Sequence, residues 1–179
     1  SLKRKSLLDL TAERNTIKQK QLDFEETEIP TGVERIDENN KLHFHYVEYL
    51  KKRGIVFGYP FLVDKKRGPR DRIVVPYTYK HRIVGHTSRY VFGYDLQKPN
   101  WTSAIVVEGI FDALSISGLA CMHETISKDQ AQLLKQLKRR IIVVPDQDRA
   151  GLSIIDAAVK HKFEVSIPEW PEDIKDVND

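Results

Sequence analysis

The chain has 179 residues, of which 40% are hydrophobic and 31% are charged, so it is long enough to bury a core and too polar for a membrane protein. It has no apolar stretch long enough to span a bilayer and no hydrophobic signal segment after Ser1, which predicts a cytoplasmic protein. The lone cysteine, Cys121, excludes an internal disulfide and a four-ligand Cys/His zinc site, so we expect any metal to be held by oxygen.

The net charge of +3 is unevenly distributed along the chain. Residues 1–50 carry 8 basic and 10 acidic side chains, residues 51–98 carry 12 and 3, and residues 101–179 carry 9 and 13. A basic middle beside an acidic end suits an enzyme that handles a polyanion, because one surface attracts phosphates and the other collects divalent cations. A solvated charged face is the alternative, and charge alone does not decide between the two.

The sequence begins at Ser1 without an initiator methionine and stops abruptly at Asp179, which predicts an expressed piece of a longer protein. Its first segment, residues 1–41, has apolar residues at helical spacing and then a polar, acidic stretch, and we assign no function to it. The predicted helix runs through Leu7, Leu10, Ile17 and Leu22.

Residues 42–100 are predicted to form a small, basic subdomain of mixed α+β structure. Apolar side chains keep helical spacing up to Leu50, and Gly54 offers a left-handed cap for that helix. Two β-prone runs, residues 72–76 and 82–85, flank a short polar segment and predict a hairpin.

From Ala104 the pattern changes to strands rich in Val and Ile that alternate with helices. Ser127 and Gln130 form a predicted capping box for one of these helices. The alternation predicts an α/β fold over residues 101–179, with a mostly parallel sheet flanked by helices. The predicted elements are strand 104–107, helix 111–118, a short strand near Cys121, helix 128–137, strand 141–144, helix 149–161 and strand 164–167.

Three acidic segments follow predicted strands or end the chain: residues 108–112, 146–151 and 175–179. In a parallel sheet, ligands bind beyond the carboxyl ends of the strands, where Glu108 and Asp146 fall. If neighbouring strands bring the segments together, the like charges repel strongly unless a cation is present. We therefore expect Mg²⁺, or Mn²⁺, and two such ions about 4 Å apart can serve phosphoryl transfer.

Each of these acids also has a purely structural interpretation. Glu108 could cap a helix, and Asp112 could complement the dipole of its first turn. Asp146 or Asp148 could be the N-cap of the next helix. The acids at the end of the chain could simply be polar surface. The sequence pattern leaves these alternatives open.

Residues 107–113 and 146–151 resemble the acidic motifs of the Toprim fold, which primases, type IA and type II topoisomerases, recombination-mediator proteins and some nucleases share. Within that fold they are most similar to primases of the bacterial DnaG type and their phage relatives. Residues 174–179 also look like the third acidic motif of the phage versions.

The resemblance implies roles for single residues. It makes Glu108 the candidate general base for an attacking 3′ hydroxyl, unless Glu108 serves only as a ligand. Asp112 would support the metal-binding acids, and Asn178 stands where a second acid is expected. The implied catalytic and metal-binding carboxylates are Glu108, Asp146, Asp148 and Asp176.

The basic half is similar to the subdomain that precedes Toprim in primases, over residues 49–55, 72–76 and 82–89. The resemblance implies that four basic side chains face nucleoside triphosphates or the template backbone: Arg72, Arg82, Arg89 and Lys98. Arginine binds phosphate through a planar fork and lysine as a mobile point charge, so the residue types are suitable. Solvated surface is the alternative for each of them.

Aromatic and histidine side chains in the basic half suggest further possibilities. His43 and His45 flank Phe44 and could suggest a metal site, but we expect exposed histidines at the start of a helix. Four tyrosines could stack on template bases, with packing inside the protein or on its surface an equal alternative. They are Tyr77, Tyr79, Tyr90 and Tyr94.

The resemblance therefore implies the catalytic core of a DNA primase, which joins ribonucleotides on single-stranded DNA in the cytoplasm of a bacterium or of a phage-infected host. Its implied partners are single-stranded DNA, ribonucleoside triphosphates and a replicative helicase, separate or fused, with no membrane. A Toprim nuclease that uses the same ions is one alternative. A primase-like DNA-binding module of a helicase, with little chemistry of its own, is another.

Overall fold

The computed structural model describes residues 22, 24–55, 58–65, 72–85, 89–149 and 151–179. The helix predicted through Leu7, Leu10 and Ile17 lies outside the described residues. Among the described residues, no helix has the length and apolar character that crossing a bilayer requires.

In its described residues, the N-terminal half is built from short strands, two 3₁₀ turns and one α-helix. Strands β1, β2 and β3 form an antiparallel sheet in that order, and β4 pairs with β5 in a separate hairpin. The helix, α1, follows the first 3₁₀ turn. The elements are β1 (Val33–Arg35), the first 3₁₀ turn (Lys41–His43), α1 (Phe44–Lys52), β2 (Leu62–Asp64), β3 (Arg72–Val74), β4 (Thr78–Tyr79), β5 (Arg82–Ile83) and the second 3₁₀ turn (Tyr94–Leu96).

The predicted hairpin between residues 72–76 and 82–85 is wrong. β3 pairs with β2, whereas β5 pairs with β4, the polar segment that was expected to be the loop. The two residues between β4 and β5, Lys80 and His81, both have positive φ, at 51° and 63°. Such a two-residue turn matches the twist of its flanking strands, so it closes a tight hairpin directly at β5.

Helix α1 ends as predicted, since Gly54 has a φ of +66° and nothing lies near the position of a Cβ. The expected exposure of His43 is wrong, because His43 is only 2% exposed, while His45 is exposed as predicted. The Nδ1 atom of His43 accepts a hydrogen bond from the backbone N–H of Asp37 at 3.0 Å, and its Nε2 lies 2.6 Å from Glu34 Oε1. Both ring nitrogens of His43 therefore make contacts that hold the segment with Glu34 and Asp37 to the start of α1.

The C-terminal half is a four-stranded parallel sheet with the order β7-β6-β8-β9, flanked by helices. The predicted α/β fold class is confirmed, and every strand and helix predicted there is present, with ends that differ by up to three residues. The capping box of Ser127 and Gln130 is also present. The elements are β6 (Ser103–Val107), α2 (Ile110–Ser115), β7 (Leu119–Ala120), α3 (Lys128–Gln136), β8 (Arg140–Val143), α4 (Gly151–His161) and β9 (Glu164–Val165).

The two halves share their hydrophobic cores. Phe111 and Leu114 of α2 pack against the buried cluster around Leu50 of α1. Tyr79 and Tyr90, which are 1% and 2% exposed, belong to the same cluster as the centre of the parallel sheet. These two tyrosines are therefore core residues, so stacking on bases is excluded for them.

The predicted boundaries after residues 41 and 100 stay predictions. Strand β1 precedes the first boundary and yet pairs with β2, which follows it. Phe24, which also precedes the boundary, packs edge-on against Tyr79 and Tyr90. The described part of residues 1–41 is thus packed onto the rest of the protein.

Candidate active site

Glu108 directly follows β6, a central strand of the parallel sheet, at its carboxyl end. Gly109 is the extended N-cap residue of α2, and a Cβ on it would overlap the carboxylate of Asp112. The carbonyl oxygen of Glu108 accepts a hydrogen bond from the backbone N–H of Met122 at 2.9 Å, which fixes the loop after β7 beside it. Asp112 is 6% exposed and lies on the first turn of α2.

Asp146 and Asp148 lie in the loop between β8, the other central strand, and α4. Oδ1 of Asp148 accepts a hydrogen bond from the backbone N–H of Gly151 at 3.1 Å, so Asp148 does cap α4. A Cβ on Gly151 would overlap the carbonyl oxygen of Asp146, so the helix can start this close to the loop only with glycine there. The interpretation of Asp148 as a helix cap is therefore correct for its Oδ1 atom.

The third acidic segment is held against this loop by main-chain contacts. The backbone N–H of Gln147 donates to the carbonyl oxygen of Lys175 at 2.8 Å. Oδ1 of Asp176 accepts from the backbone N–H groups of Asn178 and Asp179, at 2.8 and 3.1 Å. These bonds fix the side chain of Asp176 in a local turn next to Asp146.

Electrostatic interactions show that the three segments converge. Burial raises the pKa of Glu108 to about 7, with further contributions from the charges of Asp146 and Asp148. Burial also raises the pKa of Asp112 to about 6, followed by a side-chain hydrogen bond and repulsion from Asp176. The pKa of Asp146 is raised by burial and then by Asp176. We call Glu108, Asp112, Asp146, Asp148 and Asp176 the carboxylate cluster.

The donor atoms of the carboxylate cluster fit a hard divalent cation. Oε1 of Glu108 and Oδ1 of Asp112 are buried and make no hydrogen bond, which is costly unless a cation or water meets them. Carboxylate oxygens are the ligands that Mg²⁺ prefers. As the side chains stand, no group of three or more His, Cys, Asp or Glu residues in the described part of the chain could hold a metal ion. Side chains of the cluster must therefore move for a cation to bind.

The four basic residues implied by the resemblance lie in different places. Arg72 lines an open cavity of about 550 Å³ together with Phe111, the residue before Asp112. Arg82 lies in the β4–β5 hairpin. Arg89 pairs with Asp129 at the start of α3, with its Nε 2.5 Å from Oδ2. The Nζ atom of Lys98 lies 5.7 Å from the centre of the Trp101 ring. Lys98 precedes β6 and Glu108 follows it, so this five-residue strand separates the two residues in the sequence.

Two residues near the carboxylate cluster were not predicted. The Cζ atom of Arg53 lies 5.6 Å from the centre of the Phe111 ring, and its Nε is buried without a hydrogen-bond partner. Its carbonyl oxygen accepts from Nδ2 of Asn178 at 2.5 Å, which gives Asn178 a structural role. Lys175 pairs with Asp148, with Nζ 3.0 Å from Oδ2. In the sequence, Arg53 is visible only as a charge at the end of a helix, and Lys175 only as a basic residue among acids.

The family model described as Toprim-like matches residues 105–179, which hold all three acidic segments. Residues 105–179 are therefore similar to Toprim-like domains. The predicted resemblance to Toprim-domain proteins is confirmed over this part of the chain. No curated protein shows a significant match to the chain.

Three solved structures resemble the chain. The DnaG catalytic core is 17% identical with a TM-score of 0.56, over 97% of this chain and 74% of that one. The DnaG primase catalytic domain bound to ssDNA is 19% identical with a TM-score of 0.57, over 79% and 68%. The primase fragment of the bacteriophage T7 primase-helicase protein is 20% identical with a TM-score of 0.43, over 73% and 63%.

The first two comparisons confirm the predicted resemblance to primases of the DnaG type at the level of fold, because their TM-scores exceed 0.5. The first alignment covers both residues 105–179 and the half of the chain that precedes them. A special likeness to phage primases stays a prediction.

Proposed function

We propose that the chain is the catalytic core of a DNA primase, which synthesises short RNA primers on single-stranded DNA for replication. The observation that carries the proposal is the convergence of carboxylates from three separate segments at the carboxyl edge of the parallel sheet. The fold shared with DnaG catalytic cores supports the choice of a primase among Toprim proteins.

The proposed metal ligands are Glu108, Asp146, Asp148 and Asp176, with Asp112 supporting Asp176 through their side-chain hydrogen bond. When bound, Mg²⁺ or Mn²⁺ would neutralise phosphate charge and make the attacking hydroxyl more acidic. Binding would also offset the repulsion that adds to burial in raising the pKa values of Glu108, Asp112 and Asp146. The cluster thus has both the donor atoms and an electrostatic reason to take up divalent cations.

Glu108 is the proposed general base. Its Oε1 is buried and makes no hydrogen bond, so that atom is available to a proton from a 3′ hydroxyl. In the proposed step the hydroxyl oxygen attacks an α-phosphate, its proton passes to Glu108, and pyrophosphate leaves. Positioning and electrostatic stabilisation would supply most of the rate.

Arg72, Arg82 and Arg89 are proposed to bind phosphates of the triphosphate or of the template. Arg72 has the best support, because its cavity is also lined by Phe111, beside the carboxylate cluster. Lys98 lies at the opposite end of β6 from Glu108, so we propose that it contacts the template backbone and not a triphosphate at the cluster.

The wider setting follows from the resemblance to primases. We propose that residues 42–100 and 101–179 act as a basic subdomain and a Toprim domain of one catalytic core. Single-stranded DNA and ribonucleoside triphosphates are the proposed ligands, and a replicative helicase, separate or fused, is the proposed partner. The proposed location is the cytoplasm.

The test is to incubate the chain with single-stranded DNA, labelled ribonucleotides and Mg²⁺. New oligomers support a primase, DNA fragments support a Toprim nuclease, and neither product supports a binding module with little chemistry. The matched variants are Asp146→Asn, which should abolish synthesis, and Asp156→Asn on the exposed face of α4, which should not. Synthesis that survives in Asp146→Asn would overturn the proposal.

A further inference from the structure

Lys175 lies inside the acidic environment at the end of the chain. Its Nζ is 3.0 Å from Asp148 Oδ2, and its ammonium also interacts with Asp146 and Asp176. The main chain around it is fixed, because its carbonyl oxygen accepts from the N–H of Gln147 and its own N–H donates to Asp179 Oδ2 at 3.0 Å. The backbone of Lys175 is therefore fixed beside the cluster, and its ammonium contacts the cluster through its charge.

The contact with Lys175 occupies the oxygen of Asp148 that a cation would need. Oδ1 of Asp148 is committed to the N–H of Gly151 at the start of α4, while Oδ2 faces Nζ of Lys175. A cation that used Oδ2 would meet the ammonium at close range, where like charges repel. The side chain of Lys175 is 55% exposed, so it can swing away without disturbing the core.

We propose that Lys175 is the resident counter-ion of the carboxylate cluster, which competes with a divalent cation for Asp148 and leaves that oxygen when the cation binds. This inference rests on the metal site of the proposed function, though not on the reaction catalysed there. Lys175 would weaken cation binding, while its charge offsets the mutual repulsion of the carboxylates.

The test is Mn²⁺ binding to the chain without substrate, measured by electron paramagnetic resonance at pH 7.5 and fixed low salt. Lys175→Gln should bind Mn²⁺ roughly three- to tenfold more tightly, the size expected for removing one partly solvated charge at about 4 Å. Lys175→Arg, which keeps the charge, should stay near the wild-type affinity. Lys160→Gln removes an exposed charge at the far end of α4 and should change nothing.

Equal or weaker binding by Lys175→Gln, with Mn²⁺ still bound by the wild type, would overturn the counter-ion role and leave the proposed metal site intact. No Mn²⁺ binding by either protein would overturn the metal site and the inference with it. A thermal melt of each metal-free variant shows that it is folded. Tighter binding by both Lys175→Gln and Lys175→Arg would also overturn the inference, because the charge would then not be the cause.

Discussion

Asp112 and Asp176 hydrogen-bond to each other through their side chains, although one lies on the first turn of α2 and the other lies after β9. Two carboxyl groups can share such a bond only if one of them holds a proton. Asp112 therefore keeps its proton to a higher pH than an ordinary carboxyl group does, because burial and this contact both raise its pKa.

This retention makes stability depend on pH. The pKa values of Glu108 and Asp112 are about 7 and 6 in the folded chain, above their ordinary values of 4.5 and 3.8. A raised acid pKa stabilises the fold fully below the ordinary value, and that stability is lost as the pH rises through the folded value. The melting temperature of the metal-free chain should fall by a few degrees between pH 5 and pH 8.

The pH effect can be isolated by comparing variants. Glu108→Gln should reduce the fall in melting temperature, because the amide cannot ionise, and Glu26→Gln in the exposed segment before β1 should not. Added Mg²⁺ should raise the wild-type melting temperature at pH 8 and do less at pH 5. Parallel melting curves for Glu108→Gln and wild type across this range would contradict the assignment.

A substitution at Gly151 should change both the stability of the fold and its affinity for Mn²⁺. Gly151→Ala places a methyl group against the carbonyl oxygen of Asp146, so we expect about 1–3 kcal/mol of destabilisation in urea unfolding. Because the loop must shift, Mn²⁺ affinity should fall as well. Ser153→Ala, on the exposed side of the same helix, is the control and should leave both quantities unchanged. An unaltered affinity in Gly151→Ala would show that the loop absorbs the change elsewhere.

Asn178 tests the link between the two halves. Its Nδ2 donates to the carbonyl oxygen of Arg53, so Asn178→Ala should cost about 1 kcal/mol of unfolding free energy. Asn178→Asp should cost more, since a carboxylate oxygen would face that carbonyl. The ordering is measured by urea unfolding at pH 7.5, with Asp173→Asn as a control outside this contact. Greater stability of Asn178→Asp than of Asn178→Ala would refute the structural role.

Arg72 tests the basic surface. Arg72→Ala should weaken binding of single-stranded DNA severalfold and lower the slope of log affinity against log salt by about 0.7, the loss expected for one phosphate contact on a single strand. Arg140→Ala is the matched control, because Arg140 pairs with Glu164 at the exposed start of β8. Fluorescence anisotropy at several salt concentrations measures both. The same slope for wild type and Arg72→Ala would remove Arg72 from the interface.

The α/β half could be predicted because its signals are local. Runs of Val and Ile mark β6 and β8, and the capping box marks the start of α3. The convergence of Glu108 and Asp146 follows from the same pattern, because both come after parallel strands whose carboxyl ends share one edge.

The predictions that were wrong or missing concern contacts between residues far apart in the sequence. Nothing near β3 in the sequence shows that it pairs with β2 instead of β5. The burial of His43 depends on Glu34 and Asp37, which lie on another segment. The contact of Lys175 with Asp148 likewise depends on how the segment after β9 folds back, which no local spacing specifies.

The packing of Phe111 and Leu114 against the cluster around Leu50 affects how a fragment that starts at residue 101 would behave. The excised C-terminal piece would present these side chains to water on α2, immediately beside Asp112. Such a fragment should aggregate or bind detergents and hydrophobic dyes, and its helix would lose the support that aims the acids. The shortest useful fragment therefore has to include α1.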